Sequence, residues 1–104
     1  MNNIYQGDTK VHKAKIQTYR TQFEGLEMQE EENIASYFQR VEEVVNTMRG
    51  LGDAVQEAIV VQKVLRSLSA WFNPKFSAIE VKENLDALKL DETHGILISY
   101  KMRT

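Results

Sequence analysis

Residues 32–51, ENIASYFQRVEEVVNTMRGL, decide the fold of this chain. Apolar residues recur in this stretch at steps of three and four, with a step of one where two stand together, as on one face of an α-helix. The opposite face is polar, and a charged pair, Glu32 and Arg40, brackets the start of the pattern. The stretch therefore predicts an amphipathic helix docked on a core through Ile34, Tyr37, Phe38, Val41, Val44, Val45, Met48 and Leu51.

The composition is that of an ordinary folded domain. The 104 residues favour a single domain, and 42% hydrophobic with 27% charged residues argues against disorder. The formal charge of −2 is unlike that of a module built to grip phosphates. No Cys occurs, so disulfides, thiolate metal ligands and a Cys nucleophile are excluded, while the redox compartment stays undetermined. No apolar run is long enough to span a membrane and no signal peptide opens the chain, so we expect a cytoplasmic or nuclear location.

A first helix is predicted before the central one. We expect residues 1–8 to be disordered or a linker and the helix to occupy residues 9–26, with Asp8 or Thr9 as its cap. The sequence leaves open whether this helix folds back on the same chain or belongs to an upstream lobe exchanged between copies. Its predicted inner face consists of Ile16, Tyr19, Phe23 and Leu26.

The central helix has signals for both of its ends. An acidic joint over residues 27–32 leads to Asn33, whose side chain can cap the helix start, and Gly50 stands where a left-handed residue would end it. A third helix is predicted to begin at Asp53, with Gln56 three residues on as in a capping box. Its predicted apolar side consists of Val55, Ile59, Val61, Val64, Leu65 and Leu68.

The last third of the chain predicts two more helices. Asn73 followed by Pro74 is typical of an N-cap and a first helical residue. A short fourth helix would bury Phe76, Ile79 and Val81, and a fifth would hold Ile96, Leu97, Tyr100 and Met102 after Leu85, Leu88 and Leu90. With no strand-like alternation, the prediction is an all-α compact bundle of about five helices, with residues 33–104 as its helical core.

No group of residues has the pattern of a reactive site. His12 and His94 lie far apart, without the partner spacing of metal ligands, and are interpreted as ordinary helix residues. The acids at 30–32 match no oxygen cage and are interpreted as a solvated joint. We therefore expect no catalytic residue, no metal site and no cofactor. A small basic cluster is interpreted as a contribution to solubility; it consists of Lys10, Lys13 and Lys15.

Trp71 and Phe72 stand together at a predicted turn between helices. Such rings can stack on nucleic-acid bases. A Trp-Phe pair in a helix–helix turn more often packs in a core or an interface, because each ring buries a large apolar area. We favour that interpretation and take Trp71 and Phe72 as the candidate assembly interface.

Short blocks of residues stand in a characteristic order along nearly the whole chain: YQG at 5–7, AKIQ at 14–17, FEGLEM at 23–28, IASYFQR at 34–40, LG at 51–52, VLRSL at 64–68 and FSAIE at 76–80. Together they resemble the Gag polyprotein of copia-type LTR retrotransposons. The resemblance starts inside the family's pattern, because the Trp-containing helix expected before the first block is missing. The zinc knuckle and the protease that accompany Gag are also outside this chain.

Glu32, Tyr37 and Arg40 also resemble the major homology region of retroviral capsid C-terminal domains, which has a Glu, an aromatic residue five on and an Arg eight on. The resemblance implies a capsid C-terminal-domain-like fold in which the Glu and the Arg brace the turn before the helix. A carboxylate–guanidinium contact suits this role because it can be bidentate and directional. The alternative is two independent surface charges, which would contribute little stability.

The chain departs from the family pattern near its last helix. Lys89 is a poor helix cap, Thr93 stands where the family has a second Leu, and Lys101 stands where an acid is common. Ser69 and Ala70 replace a usual Pro. The last helix is therefore expected to begin late, to fray or to pack differently.

The resemblance implies a structural capsid module that self-associates into virus-like particles around element RNA. The expected partner is a second copy of the chain, as a dimer or a larger assembly, with no membrane and no small molecule. Nucleic acid would be held only indirectly, through the Gag regions outside this chain. The alternative is a Gag-derived adaptor, retained by a host, that binds a protein partner.

Overall fold

A computed structural model describes the backbone of residues 2–103 and the side chains of residues 10–102. The described backbone contains helices and no strand, which confirms the all-α prediction. The YQG block at 5–7 lies outside the described side chains. The helices are α1 (Asn2–Glu24), α2 (Ile34–Gly50), α3 (Glu57–Arg66), a short 3₁₀ helix (Ala70–Phe72), α4 (Asn73–Lys82) and α5 (Leu90–Arg103).

The helix α2 is the centre of the core, as its apolar face predicts. Its start is capped by Asn33, whose Oδ1 accepts a hydrogen bond from the backbone N–H of Ser36 at 2.8 Å. The helix contacts α1, α3 and α5. Burying such a face supplies most of the helix's stability, because propensity alone does not hold a helix of this length in water. The residues it buries are Ile34, Tyr37, Phe38, Val41, Val45 and Met48.

The end of α2 is a Schellman motif in which Gly52, not Gly50, is the left-handed residue. Gly50 is still helical, and Gly52 has a φ of 92°. The N–H of Gly52 donates to the carbonyl of Arg49 and the N–H of Asp53 to that of Met48, both at 3.0 Å. These are the two bonds that define the motif. The prediction for Gly50 was therefore wrong by two residues, because the helix can continue through a glycine to the next one.

The third helix begins at Glu57 rather than at Asp53. Gln56 precedes it but makes no capping hydrogen bond with its side chain. The predicted capping box was therefore wrong. The physical reason is that Asp53 has a stronger partner in Arg20 of α1, whose Nε and Nη2 donate to its carboxylate at 2.8 and 2.9 Å.

The exposed and buried sides of α3 also differ from the prediction. Val61, Val64 and Leu65 are buried as predicted, but Val60 takes the place of Ile59, which is half exposed. Val60 shares a face with Val61, Val64 and Leu65 at helical spacing, whereas Ile59 lies about 100° from Val60 on the other side of that face.

The helix α1 packs antiparallel to α2 of the same chain. Phe23 lies in the core, and the ammonium of Lys63 donates to the carbonyl of Glu24. Near the middle of α1, Nε2 of His12 contacts the carbonyl of Leu51, just after α2. The helix occupies Asn2–Glu24, whereas the sequence predicted it over residues 9–26 after a disordered or linker segment. The earlier start is favourable because extending an existing helix fixes only one residue for each new hydrogen bond.

The helix α4 begins one residue earlier than predicted. Asn73 is its first residue and not its N-cap, and Pro74 lies in the first turn, where its missing N–H costs nothing. Ile79 is buried as predicted, but Val81 is 85% exposed and the prediction that it packs inwards was wrong.

The helix α5 begins at Leu90 despite the poor cap at Lys89. The carboxylate of Glu92 accepts from the N–H of Lys89 at 2.9 Å, which is half of a capping box. Thr93 is fully buried, and its hydroxyl donates to the carbonyl of Lys89 at 2.9 Å. The threonine in place of a leucine is thus accommodated by an internal hydrogen bond, and Leu97 completes the core one turn later.

Candidate functional site

The start of α2 is held to the preceding joint by Arg40 and Glu32. The guanidinium donates from Nε and Nη2 to the two carboxylate oxygens of Glu32, at 2.7 and 2.6 Å. Nη2 also donates to the carbonyl of Glu27 at 2.7 Å. Glu32 accepts one further bond, from the N–H of Gln29 at 3.1 Å. The two residues predicted as a pair therefore form a bidentate contact that closes the joint over residues 27–32.

The ionisation of the pair follows from these contacts. The hydrogen bonds from Arg40 hold the pKa of the Glu32 carboxyl below its usual value, against the opposing effect of its burial. The same bonds raise the pKa of Arg40. The charged forms of both residues are thus favoured in the fold, as expected for charge-assisted hydrogen bonds.

Tyr37 connects this joint to α3. Its ring is fully buried, and its hydroxyl donates to the carbonyl of Val64 at 3.0 Å. Burial raises the pKa of the Tyr37 hydroxyl, which therefore stays protonated and keeps donating. The guanidinium carbon of Arg40 lies 5.9 Å from the ring centroid. The structure thus brings Glu32, Tyr37 and Arg40 together at one corner of the bundle.

Trp71 and Phe72 lie in different environments although they are adjacent. Trp71 is 46% exposed, whereas Phe72 is 3% exposed and belongs to the core. Of the two candidate interface residues, Phe72 thus lies mainly in the core of its own chain and Trp71 remains accessible. The short 3₁₀ helix explains the difference, because consecutive side chains on a helix point in different directions.

Trp71 lies in a cluster of rings and cations. Its centroid is 4.8 Å from that of Phe72 and 5.3 Å from that of Tyr100, both with edge-on geometry. The ammonium of Lys101 lies 4.1 Å from the Trp71 centroid, within cation–π range. The ring is therefore fixed in orientation while nearly half of it remains open to a partner.

A groove of about 450 Å³ opens beside Trp71. It lies where the joint after α1, the start of α2, the 3₁₀ helix and α5 meet. Glu30, Glu31, Glu32 and Lys101 contribute charged side chains. The apolar part of the lining comes from Met28, Ile34, Trp71, Phe72 and Ile98. An apolar lining with a few charged groups suits the binding of another protein surface or a peptide.

The described residues offer little for catalysis or for metal binding. Among residues 10–102, no group of three His, Asp or Glu is arranged to hold a metal ion. His94 stacks on Phe38, with ring centroids 4.6 Å apart, and so lies against the core. No helix in the described part of the chain is both long and apolar enough to cross a membrane.

Sequence reasoning missed two contacts of this region. The Arg20–Asp53 pair joins residues 33 positions apart, which no local pattern reveals. The stacking of Lys101 on Trp71 was also missed. The sequence signal for it was a Lys at a position where the family commonly has an acid.

Comparison with protein families gives a match over the entire chain. The model of the gag-polypeptide of LTR copia-type matches residues 1–104. No curated protein and no solved structure matches this chain. Because the family match covers every residue, the chain belongs to the copia-type gag family and is a structural Gag module.

Proposed function

We propose that copies of this chain self-associate, and that in the full Gag polyprotein they build a particle around element RNA. The observation that carries the proposal is the match to the copia-type gag family over residues 1–104. Trp71 and the adjacent groove also support self-association. A half-exposed Trp that is held in place next to an apolar groove has the properties of an interface anchor.

The driving force would be apolar burial between copies. The covered part of Trp71 is already held in place by Phe72 and Tyr100, so a partner gains contact area with little additional loss of side-chain freedom. Phe72 supports the ring from within the core and lines the groove, but it is only 3% exposed, so Trp71 offers most of the contact area of this pair.

The other parts of the proposal follow from the charge and the family. With a formal charge of −2, the chain would hold nucleic acid only indirectly, through the Gag regions outside it. The module would have no catalytic role, no cofactor, no small-molecule ligand and no membrane contact. The assembly would take place in the cytoplasm.

Light scattering over a wide concentration range tests the proposal. We expect the mass of the wild-type protein to rise with concentration and Trp71→Ala to shift it towards the monomer. Val81→Ala is the matched control, because it also removes an exposed apolar side chain, 85% exposed, but one that does not line the groove. Phe72 is left intact because its truncation would open a cavity in the core. A wild-type protein that stays monomeric at millimolar concentration, alone and within its full-length parent, contradicts the proposal.

A host-retained adaptor is the alternative, and the groove is the observation that favours it. An apolar groove with acidic residues can take an amphipathic peptide. Two results together would favour the adaptor over the capsid module. The protein would stay monomeric at all concentrations, and it would bind such a peptide with an affinity that Trp71→Ala abolishes.

A further inference from the structure

We propose that the basic part of α1 from one copy docks in the groove beside Trp71 of the next, so that copies associate head to tail. This inference rests on the proposed self-association and names the two surfaces that meet. The groove beside Trp71 is called the acidic groove below. Residues 10–18 of α1 are called the basic segment.

The acidic groove has a surplus of negative charge. Three carboxylates line it, and Arg40 neutralises only that of Glu32. Glu30 and Glu31 are exposed, and neither takes part in an ion pair of the described residues. The ammonium of Lys101, over the Trp71 ring, also lines the groove, so Glu30 and Glu31 against Lys101 leave one surplus negative charge. The surplus therefore favours a cationic occupant.

The basic segment has complementary chemistry. No Asp or Glu occurs from Lys10 to Phe23, and α1 as a whole has four Lys and Arg residues against two acids, Asp8 and Glu24. Val11 is 54% exposed, and at helical spacing it shares a face with Ala14 and Thr18. The ammonium groups that flank this face on the helix surface are those of Lys10 and Lys15. The exposed apolar side chain of Val11, flanked by cations, suits an apolar groove that carries carboxylates.

The two surfaces cannot meet within one chain. The acidic groove includes Ile34 and Ala35 at the start of α2. The basic segment lies beside the other end, where His12 contacts the carbonyl of Leu51. The 17 residues of α2 separate them, a distance of about 25 Å at the rise of an α-helix. Their complementarity can therefore be satisfied only between copies, and a contact of two different surfaces produces a ring or an open chain.

Charge reversal tests the pairing. The first variant carries Glu30→Lys and Glu31→Lys, and the second carries Lys10→Glu and Lys15→Glu. Each alone brings like charges together at every contact, so we expect its association constant to fall by about tenfold or more. In an equimolar mixture, the two variants can alternate along the assembly, and every contact between unlike variants then pairs opposite charges. The mixture should therefore recover the wild-type mass. All four substitutions in one chain should recover it as well.

Glu42→Lys with Glu43→Lys is the matched control. It changes the net charge as the first variant does, but at exposed positions of α2 outside the groove. We expect this control to associate like the wild type, and thermal unfolding followed by circular dichroism checks that every variant is folded. The head-to-tail proposal is contradicted if the wild type associates and both charge-reversed variants associate equally well. It is also contradicted if the mixture of the two variants does not recover the wild-type mass. A wild type that never associates overturns the proposed function itself, so the two failures can be told apart.

Discussion

The carboxylate of Glu57 accepts a hydrogen bond from the backbone N–H of Leu90 at 2.8 Å, so a side chain of α3 caps the start of α5. Its other oxygen lies 3.3 Å from Nη2 of Arg49 in α2. One carboxylate therefore joins three helices. It supplies the acceptor that Lys89, at the N-cap position of α5, cannot provide, and its negative charge lies at the positive end of that helix.

Removal of this long-range cap should destabilise the fold. For Glu57→Ala we expect a loss of about 1 kcal/mol in the free energy of unfolding, the usual cost of losing a helix cap. Gln56→Ala is the control, since that side chain makes no capping bond. Urea denaturation measures both, and hydrogen exchange should show faster exchange at Leu90 in the first variant only. Equal effects of the two substitutions would contradict the capping role.

Arg40→Ala should lower the melting temperature clearly. The side chain is 40% exposed, which weakens its bonds to Glu32 and Glu27, and we expect a loss of about 1–2 kcal/mol. For a domain of this size that corresponds to roughly 4–10 °C. We also expect Arg49→Ala to cost less, because its ion pair with Glu57 is longer and exposed on both sides. Arg66→Ala serves as a control at an exposed position, and a loss as large as that of Arg40→Ala there would rule out a special role for the joint.

The two glycines at the end of α2 should respond in opposite directions to alanine. At Gly52, with a φ of 92°, a Cβ is strained, and we expect Gly52→Ala to destabilise by about 1 kcal/mol. Gly50 is helical, and no atom lies within 4 Å of an added Cβ. Gly50→Ala should therefore stabilise, by about 0.5–1 kcal/mol. Thermal unfolding of both variants decides the assignment, and the opposite order would place the left-handed residue at Gly50.

Two carboxyls should make the stability depend on pH in the acid range. Hydrogen bonds from Arg40 lower the pKa of Glu32, and hydrogen bonds from Arg20 lower that of Asp53, below ordinary values of 4.5 and 3.8. The unfolded chain therefore takes up protons first as the pH falls. The stabilisation is complete above these ordinary values and is lost as the pH falls through the lowered pKa of each folded carboxyl.

The combination of Glu32→Gln and Asp53→Asn tests this dependence. At neutral pH the double variant should be less stable than the wild type, and the difference should shrink as the pH falls towards about 3. Urea denaturation at a series of pH values measures it. A difference that stays constant with pH would mean that the two ion pairs do not contribute through their charge.

Features with short sequence separation were predictable. The apolar face of α2 and the Asn33 cap both follow from spacings of three and four residues, which a helix turns directly into neighbours. The contact of Glu32 with Arg40 spans eight residues and was anticipated through the resemblance to the major homology region.

Features that depend on distant residues were not predictable from local patterns. Asp53 has the local signature of a helix cap, but Arg20 competes for its carboxylate from another helix. Glu57 likewise caps α5 from 33 residues away. The different exposures of Trp71 and Phe72 arise in a short 3₁₀ turn, where no periodic pattern is long enough to tell the inner ring from the outer one.

Trp71 is the only tryptophan of the chain. Its indole is half open to water at the mouth of the groove and close to Lys101, so its fluorescence responds separately to two events. Occupation of the groove would shift the emission to shorter wavelengths, whereas unfolding would expose the indole fully and shift it to longer ones. The molecule thus contains its own optical probe, and docking and denaturation can be followed without any added label.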